Sequence, residues 1–315
     1  MSKTGEMRPA AILIAGPTTS GKSALALTLA LEFGGAIINT DSMQVYADLR
    51  RLSARPTPEE EARAPHRLYG HADGALNFSV GHFQRDASRV LAETEALGRL
   101  PIFVGGTGLY FRSLDEGFSE LPEVPETVRT AVRAAADGRP TERLHAELTG
   151  LDPSAGAALR PSDRLRVMRA LEVFHASGRS ILAFQGQRRP GPLAGRPLLK
   201  VFLDVAREEL RRRIDARFLA MMDEGALDEV AALRGRRLDP LLPVMRAHGV
   251  PGLIARLDGA IGLDEAIRRG QGDTRRYAKR QVTWFRHQMG PDWIWADPAA
   301  ALALARTRLS APAGR

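Results

Sequence analysis

The stretch "GPTTSGKS", residues 16–23, constrains the fold of this chain more than any other feature. It fits the pattern G-x-x-x-x-G-K-[ST] in the context that pattern requires, with the apolar run AAILIAG before it and an amphipathic run after it. The order strand, loop, helix follows. Gly16 and Gly21 let the backbone curl so that successive N–H groups point inward, and the helix N-terminus adds a partial positive charge. Lys22 supplies a full charge and Ser23 a hydroxyl for Mg²⁺. Gly16, Pro17, Thr18, Thr19, Ser20, Gly21, Lys22 and Ser23 are therefore expected to grip a phosphate group. The loop alone does not separate a nucleoside triphosphate from a diphosphate attached to something else.

Apolar runs at 10–15, 36–38, 101–104 and 198–203 read as buried strands of a parallel sheet, with helical stretches at 22–33, 81–98 and 207–233 as crossovers. The expected fold class is α/β, a P-loop NTPase-like parallel sheet flanked by helices. Residues 115–197 break the pattern. They show no convincing strand, carry helical periodicity, and are punctuated by Pro122, Pro125, Pro140 and Pro153. The expected organisation is a core in residues 1–114, an all-helical insertion domain in 115–197, the rest of the core with basic helices in 198–295, and an Ala-rich tail, 296–315. That tail has little pattern and is expected to be partly disordered.

Charge narrows the partners. The 315-residue chain has a formal net charge of +8, which favours a polyanion such as nucleic acid. The absence of cysteine excludes disulfides and thiolate metal sites, and the seven histidines form no H-E-x-x-H motif. No apolar run reaches the roughly 18 residues of a membrane span, and MSKTGEMRPA lacks a signal-peptide core, so a soluble, cytoplasmic protein is expected. Residues 268–286, "RRGQGDTRRYAKRQVTWFR", hold seven Lys or Arg and one acid. Tyr277, Gln281, Trp284 and Phe285 fall near one helical face, which is expected to point to the core. Arg275, Lys279 and Arg286 mark one flanking stripe, and Arg276 with Arg280 another. Such a stripe suits a phosphate backbone; a solvated surface helix is the alternative.

Asp41, in "NTDSMQVY", stands at the carboxyl end of the second strand, the edge that faces the ligand crevice in open α/β sheets. With Gln44 it also resembles a capping box that would only start a helix. Thr107, in "VGGTGLYF", offers a hydroxyl beside the same crevice, or an ordinary N-cap. Gly105, Gly106 and Thr107 occupy the slot where many P-loop NTPases keep a metal-binding acid, which argues against hydrolysis, although Asp204 is a possible substitute. Arg213 and Arg217 are an i, i+4 pair beside Ile214, Phe218 and Met221, and such arginines are often simply solvated.

Taken in order, "GPTTSGKS", "DSMQVY", "GGTGLYF" and "RRYAKRQVTWFR" resemble the motifs of the tRNA dimethylallyltransferases, also called isopentenyl-tRNA transferases. The resemblance runs from about residue 10 to 295 and is supported by "APHRLYG", "DRLRVMRALEVFHASGRS" and "RIDARFLAMM". It implies Mg²⁺-dependent transfer of a dimethylallyl group from dimethylallyl diphosphate to the exocyclic amine of the adenosine just 3′ of the anticodon. By the same resemblance Asp41 matches the general base, Thr107 and Arg217 match groups near the diphosphate, and Gln44 matches an adenine contact. The implied tRNA-binding set, facing the anticodon stem-loop, is Ser42, Gln44, Arg164, Arg275, Lys279, Arg280 and Arg286, in a protein expected to be a monomer.

Two departures stand out. Residues 52–56 read Leu-Ser-Ala-Arg-Pro where the family usually has Gly-Thr-Ala-Lys-Pro, and residues 249–251 read Gly-Val-Pro in place of Gly-Tyr-Arg. Arg55 and residues 248–251 are accordingly left out of the expected site. A P-loop kinase using ATP, a prenyltransferase acting on free adenine nucleotides and a nucleotide-gated RNA-binding module are the rival readings.

Overall fold

A computed structural model describes residues 8–119, 121–185 and 188–310. The chain divides into two compact units, Met1–Asp115 with Pro192–Arg315, and Glu116–Gly191. Its strands are β1 (Ala11–Ala15), β2 (Gly35–Asn39), β3 (His66–Arg67), β4 (Leu100–Gly105), β5 (Phe118–Ser119), β6 (Arg188–Arg189), β7 (Leu198–Leu203) and β8 (Ile294–Ala296).

The first unit is an α/β fold around a six-stranded sheet of order β3-β2-β4-β1-β7-β8, parallel throughout. Alternation along β1 sorts its side chains. Ile12 and Ile14 join one core with Leu25 and Leu29 of helix Lys22–Phe33, while Ala11, Leu13 and Ala15 join the other with Phe83 of helix Val80–Ala96 and Phe111 of helix Gly108–Asp115. Both faces are thus covered, as a parallel sheet requires. Full burial of a side chain such as Ile12 or Phe103 stabilises the fold by about 1.5–3 kcal/mol.

The four apolar runs coincide with β1, β2, β4 and β7. The short edge strands β3 and β8 were not expected, because two or three residues carry no readable period. The stretch 207–233 is two helices, Arg207–Asp223 and Ala226–Gly235, interrupted at Glu224 and Gly225. Helix Lys22–Phe33 is less amphipathic than its sequence suggested, since it is sandwiched between the sheet and a further helix and buries more than one side.

That further helix corrects the reading of the tail. Pro298–Leu309 is helical, with Asp297 accepting the N–H groups of Ala299 and Ala300 and Pro298 at its first turn. Alanine is the strongest helix former, so an Ala-rich run after an Asp-Pro start reads better as helix than as disorder. Ala301, Ala305 and Leu309 pack into the core beside Leu25 and Leu29; residues 311–315 of the expected tail lie outside the described residues.

The second unit is built mainly of helices Glu126–Ala136, Thr141–Leu151, Pro153–Ala158 and Arg164–Ser177 around Leu144, Leu148, Val167 and Leu171. Pro125 and Pro140 are the N-caps of the first two helices and Pro153 opens the third, where a missing N–H costs nothing. It also holds the two-residue antiparallel ladder of β5 and β6, too short to show as a strand in sequence. Residues 192–197, assigned from sequence to the insertion, belong to the first unit: Leu193 is fully buried with Phe111 and Phe202, and its N–H donates to Leu114 O at 2.9 Å.

Candidate active site

The carboxyl ends of β1, β2 and β4 meet around a cavity of about 580 Å³, whose lining includes residues 18–24, Asp41, Gln44, Tyr69, Arg217 and Tyr277. On the β1 side, Thr19 has φ 63° and Gly21 φ 94°, a left-handed turn that brings the chain into helix Lys22–Phe33. Neither an acidic residue in the first turn nor a side-chain cap neutralises this helix end, so its partial positive charge is left for a ligand. Burial lowers the Lys22 ammonium from 10.5 to about 8 and Arg217 pushes it the same way, while Asp41 opposes both. Lys22 Nζ donates to Pro17 O at 2.6 Å, closing the loop on itself. The hydroxyls of Thr19 and Ser20 are buried and have no hydrogen-bond partner among the described residues. Gly16 and Pro17 shape the turn without lining the cavity.

On the β2 side, fully buried Asn39 fixes the chain. Its Oδ1 accepts Asp41 N–H at 2.8 Å, and its Nδ2 donates to Asp41 O and Leu68 O at 3.0 Å. Asp41 Oδ1 accepts Met43 N–H at 2.9 Å, a local turn, and no helix follows, so the capping-box alternative does not hold. Oδ2 is the carboxylate oxygen without a hydrogen bond to the described residues. Asp41 is a charge that Lys22, Tyr69, Tyr277 and His248 all feel. Gln44 Nε2 donates to Ser53 O and Ala54 O at 3.0 and 2.9 Å, which leaves its carbonyl oxygen available.

On the β4 side, Thr107 precedes helix Gly108–Asp115, but its hydroxyl reaches across to accept Ser42 N–H at 2.9 Å and donate to Ser42 Oγ at 3.2 Å. The glycines are there for close approach. A Cβ on Gly106 would fall 1.9 Å from Gln281 Nε2, and one on Gly108 2.0 Å from the Trp284 ring. Thr107 and Ser42 therefore support the cavity wall next to Asp41 rather than line it.

Helices Arg207–Asp223 and Leu263–Gln288 supply the remaining wall. Arg217 stands at the rim, exposed by area, with its guanidinium desolvated enough to lower its pKa. Its i−4 neighbour Arg213 pairs with Glu209 at 2.7 Å, so only Arg217 of the two has no ion pair to the described residues. Tyr277, expected to point to the core, instead meets the site, while Gln281 is buried as expected. Tyr277 lines the cavity, with its hydroxyl pKa raised by burial and by Asp41, and Gln281 bridges two loops. His248, left out of the expected site, lies 4.6 Å from the Tyr277 ring and lines the cavity. Burial and Arg280 lower its pKa. The i, i+4 spacing of Tyr277 and Gln281 was the available signal for a polar face. Arg55 is held by Tyr46 O and Ala47 O against Gly70. Asp204 is exposed and does not line the cavity.

The basic residues differ in what already holds them. Arg275 pairs with Asp215 and Arg276 with Asp273. Arg280 lies over the Tyr277 ring at 5.7 Å and Arg286 over the Trp295 ring at 5.3 Å, both exposed, and Lys279 is exposed with no ion pair to the described residues. In the second unit Arg164 donates to Arg139 O and Ala136 O at 2.7 and 2.6 Å, a structural task at the end of helix Glu126–Ala136.

Residues 44–288 match the family IPP transferase. A tRNA dimethylallyltransferase of Methylorubrum populi is 72% identical over 308 residues, 98% of this chain and 97% of the relative. The crystal structure of the full-length tRNA isopentenylpyrophosphate transferase from Bacillus halodurans superposes with a TM-score of 0.66 at 32% identity, covering 95% of this chain and 96% of that one. A eukaryotic dimethylallyltransferase caught acting on tRNA gives a TM-score of 0.75 at 26% identity over 92% of this chain and 74% of its own. A match of this length, with relatives of this identity, means that the chain belongs to the IPP transferase family.

Proposed function

We propose that this protein transfers a dimethylallyl group from dimethylallyl diphosphate to the exocyclic amine of the adenosine 3′ of the anticodon in tRNA, releasing diphosphate. The observation that carries the reading is the cavity in which a cationic glycine loop faces a strand-end carboxylate. In it, residues 16–23 act as a phosphate loop of a P-loop NTPase-like core. An allylic carbon–oxygen bond ionises readily only when the departing diphosphate is stabilised. Lys22, Arg217 and the helix N-terminus place positive charge where that negative charge develops. The apolar walls from Phe218 and Met221 keep water from the reactive carbon. The adenine amine is a weak nucleophile and too weak an acid to ionise first, so Asp41 takes its proton through Oδ2 as, or after, the carbon–nitrogen bond forms. Gln44, its amide nitrogen held by two carbonyls, presents an acceptor suited to an adenine N–H.

Mg²⁺ fits the donor set. Three-membered clusters of His, Asp and Glu are absent among the described residues, and a hard cation that keeps most of its water needs little more than the Ser23 hydroxyl and diphosphate oxygens. When bound, it supplies further charge neutralisation to the leaving diphosphate.

Reaching the cavity requires the adenosine to leave its stack. Lys279, Arg280 and Arg286, with Arg275 and Ser42, are proposed to contact the tRNA from the first unit. The helical unit 116–191 acts as an insertion domain for the anticodon stem-loop, with Arg164 in the contact through donors that its bonds to Arg139 O and Ala136 O do not use. Among the described residues no helix is long and apolar enough to cross a membrane; a monomeric, cytoplasmic enzyme is part of the same proposal.

Incubation with Mg²⁺, labelled dimethylallyl diphosphate and tRNA, AMP or no acceptor tests the reading. Label enters tRNA alone, inorganic pyrophosphate competes with the donor, and ATP is neither consumed nor required. Label on AMP, or ADP formed in proportion to product, overturns it.

A further inference from the structure

Gln281 lies in helix Leu263–Gln288, only 4% exposed, and its amide joins two loops remote from it in sequence. Its Oε1 accepts Thr18 N–H at 3.1 Å, and its Nε2 donates to Gly106 O at 3.0 Å. A backbone N–H only donates and a carbonyl only accepts, so the amide has one orientation here. The fit is tight, since a Cβ on Gly106 would lie 1.9 Å from Nε2. Thr18 belongs to the loop that ends in Lys22, and Gly106 precedes Thr107, which braces Ser42 next to Asp41. One side chain therefore spans the cationic edge and the carboxylate edge of the cavity.

We propose that Gln281 is a positioning residue for the transfer reaction, holding the residue 16–23 loop and the residue 105–107 loop in register so that the allylic carbon and the adenine amine meet at Asp41. This rests on the dimethylallyl-transfer reading above. Gln281 does not line the cavity and acts only through Thr18 and Gly106. Each substrate keeps its own contacts without it, whereas the alignment between them is lost. The expected signature is a fall in kcat with little change in KM.

Two variants separate this role from simple packing. Gln281→Met keeps the volume and removes both hydrogen bonds. Gln281→Glu keeps both only while protonated, when its C=O accepts from Thr18 and its O–H donates to Gly106; once ionised it sets a carboxylate against the Gly106 carbonyl. For Gln281→Met, turnover falls roughly 10²-fold, KM values for dimethylallyl diphosphate and tRNA stay near those of the unchanged protein, and amide exchange in residues 17–21 accelerates. For Gln281→Glu, turnover relative to the unchanged protein rises as pH falls from about 8 to 5.5, because burial holds the carboxyl pKa up. If both variants merely melt earlier, with normal kcat well below melting and a flat pH ratio, the proposal is overturned. If the unchanged protein moves no label to tRNA, the transfer reading fails on its own. Loop exchange in the folded Gln281→Met variant still decides whether Gln281 holds the loops, and exchange at the normal rate overturns that.

Discussion

At the strand ends, Asp41 and Thr107 are fixed from below by Asn39, Ser42 and the backbone, so that Asp41 is left with Oδ2 unbonded by the described residues. On helix Leu263–Gln288 the cations are held unequally. Arg275 is tied to Asp215, Arg280 and Arg286 rest on aromatic rings, and Lys279 has no ion pair to the described residues. The first arrangement gives a single atom a single position, as proton transfer demands. The second spreads charge along a surface, as a phosphate backbone demands, and no one member of it is indispensable. Substitutions at the strand ends should therefore act on turnover by large factors, and those on the helix on tRNA affinity by small, additive ones.

The largest effect is expected at Asp41. Asp41→Ala lowers single-turnover transfer by roughly 10²- to 10⁴-fold while tRNA binding, measured by filter retention, changes little. Near-normal turnover with earlier melting would make Asp41 a turn former only and erase the contrast. Next is Gly106→Ala, whose added Cβ presses on a buried amide that cannot retreat. Urea unfolding should show a loss of about 1–3 kcal/mol, and an unaffected midpoint would mean the two loops are less firmly joined than the bonds to Gln281 imply.

How far the sequence went follows the same divide. β1, β2, β4 and β7 and the glycine loop were legible because buried parallel strands are continuous apolar runs and glycine marks close approach. The edge strands β3 and β8 were not, since runs of two or three residues have no period. The spacing puts Tyr277 and Gln281 on one inward face, where Gln281 is buried but Tyr277 lines the cavity. Helical spacing tells which side chains point inward and not whether a cavity lies there. His248 stands in a stretch that departs from the family pattern, yet the turn at Gly249, φ 96°, carries it to the Tyr277 ring. The charges of residues 268–286 were legible in sum, whereas the partner of Arg275, Asp215, is on another helix 60 residues away in the chain.

The Lys22 ammonium gives a pH test of the cationic edge. Its pKa in the unliganded fold, about 8, lies below its ordinary 10.5, so between these values the unfolded chain binds more protons and stability rises with pH. A bound diphosphate draws Lys22 back to its charged form, and binding in that window takes up a proton. Pyrophosphate affinity, measured calorimetrically, should fall as pH rises above about 8, with a slope approaching tenfold per pH unit. Lys22→Arg should bind without that slope, apart from the titration of pyrophosphate itself; identical slopes in the two proteins would place the responsible proton elsewhere.

The smallest effect sharpens the comparison most, because it asks whether the helix cations act as separate charges. Each phosphate neutralised releases about 0.7 to 0.9 counterions, depending on strand character. Lys279→Gln with Arg286→Gln removes two exposed cations that no carboxylate of the described residues holds, and should make the log–log salt slope of tRNA binding shallower by roughly 1.4 to 1.8. Arg275→Gln alone should change the slope by less than about 0.7, since Asp215 already offsets its charge. Dimethylallyl diphosphate binding should be unaffected in both, which separates loss of a backbone contact from misfolding. A slope change for Arg275→Gln as large as half that of the double variant would mean that tRNA displaces Asp215, making that ion pair a competitor for phosphate rather than a fixed part of the helix packing. A slope unchanged in the double variant would take the tRNA off this helix and leave the unit 116–191 as its principal contact.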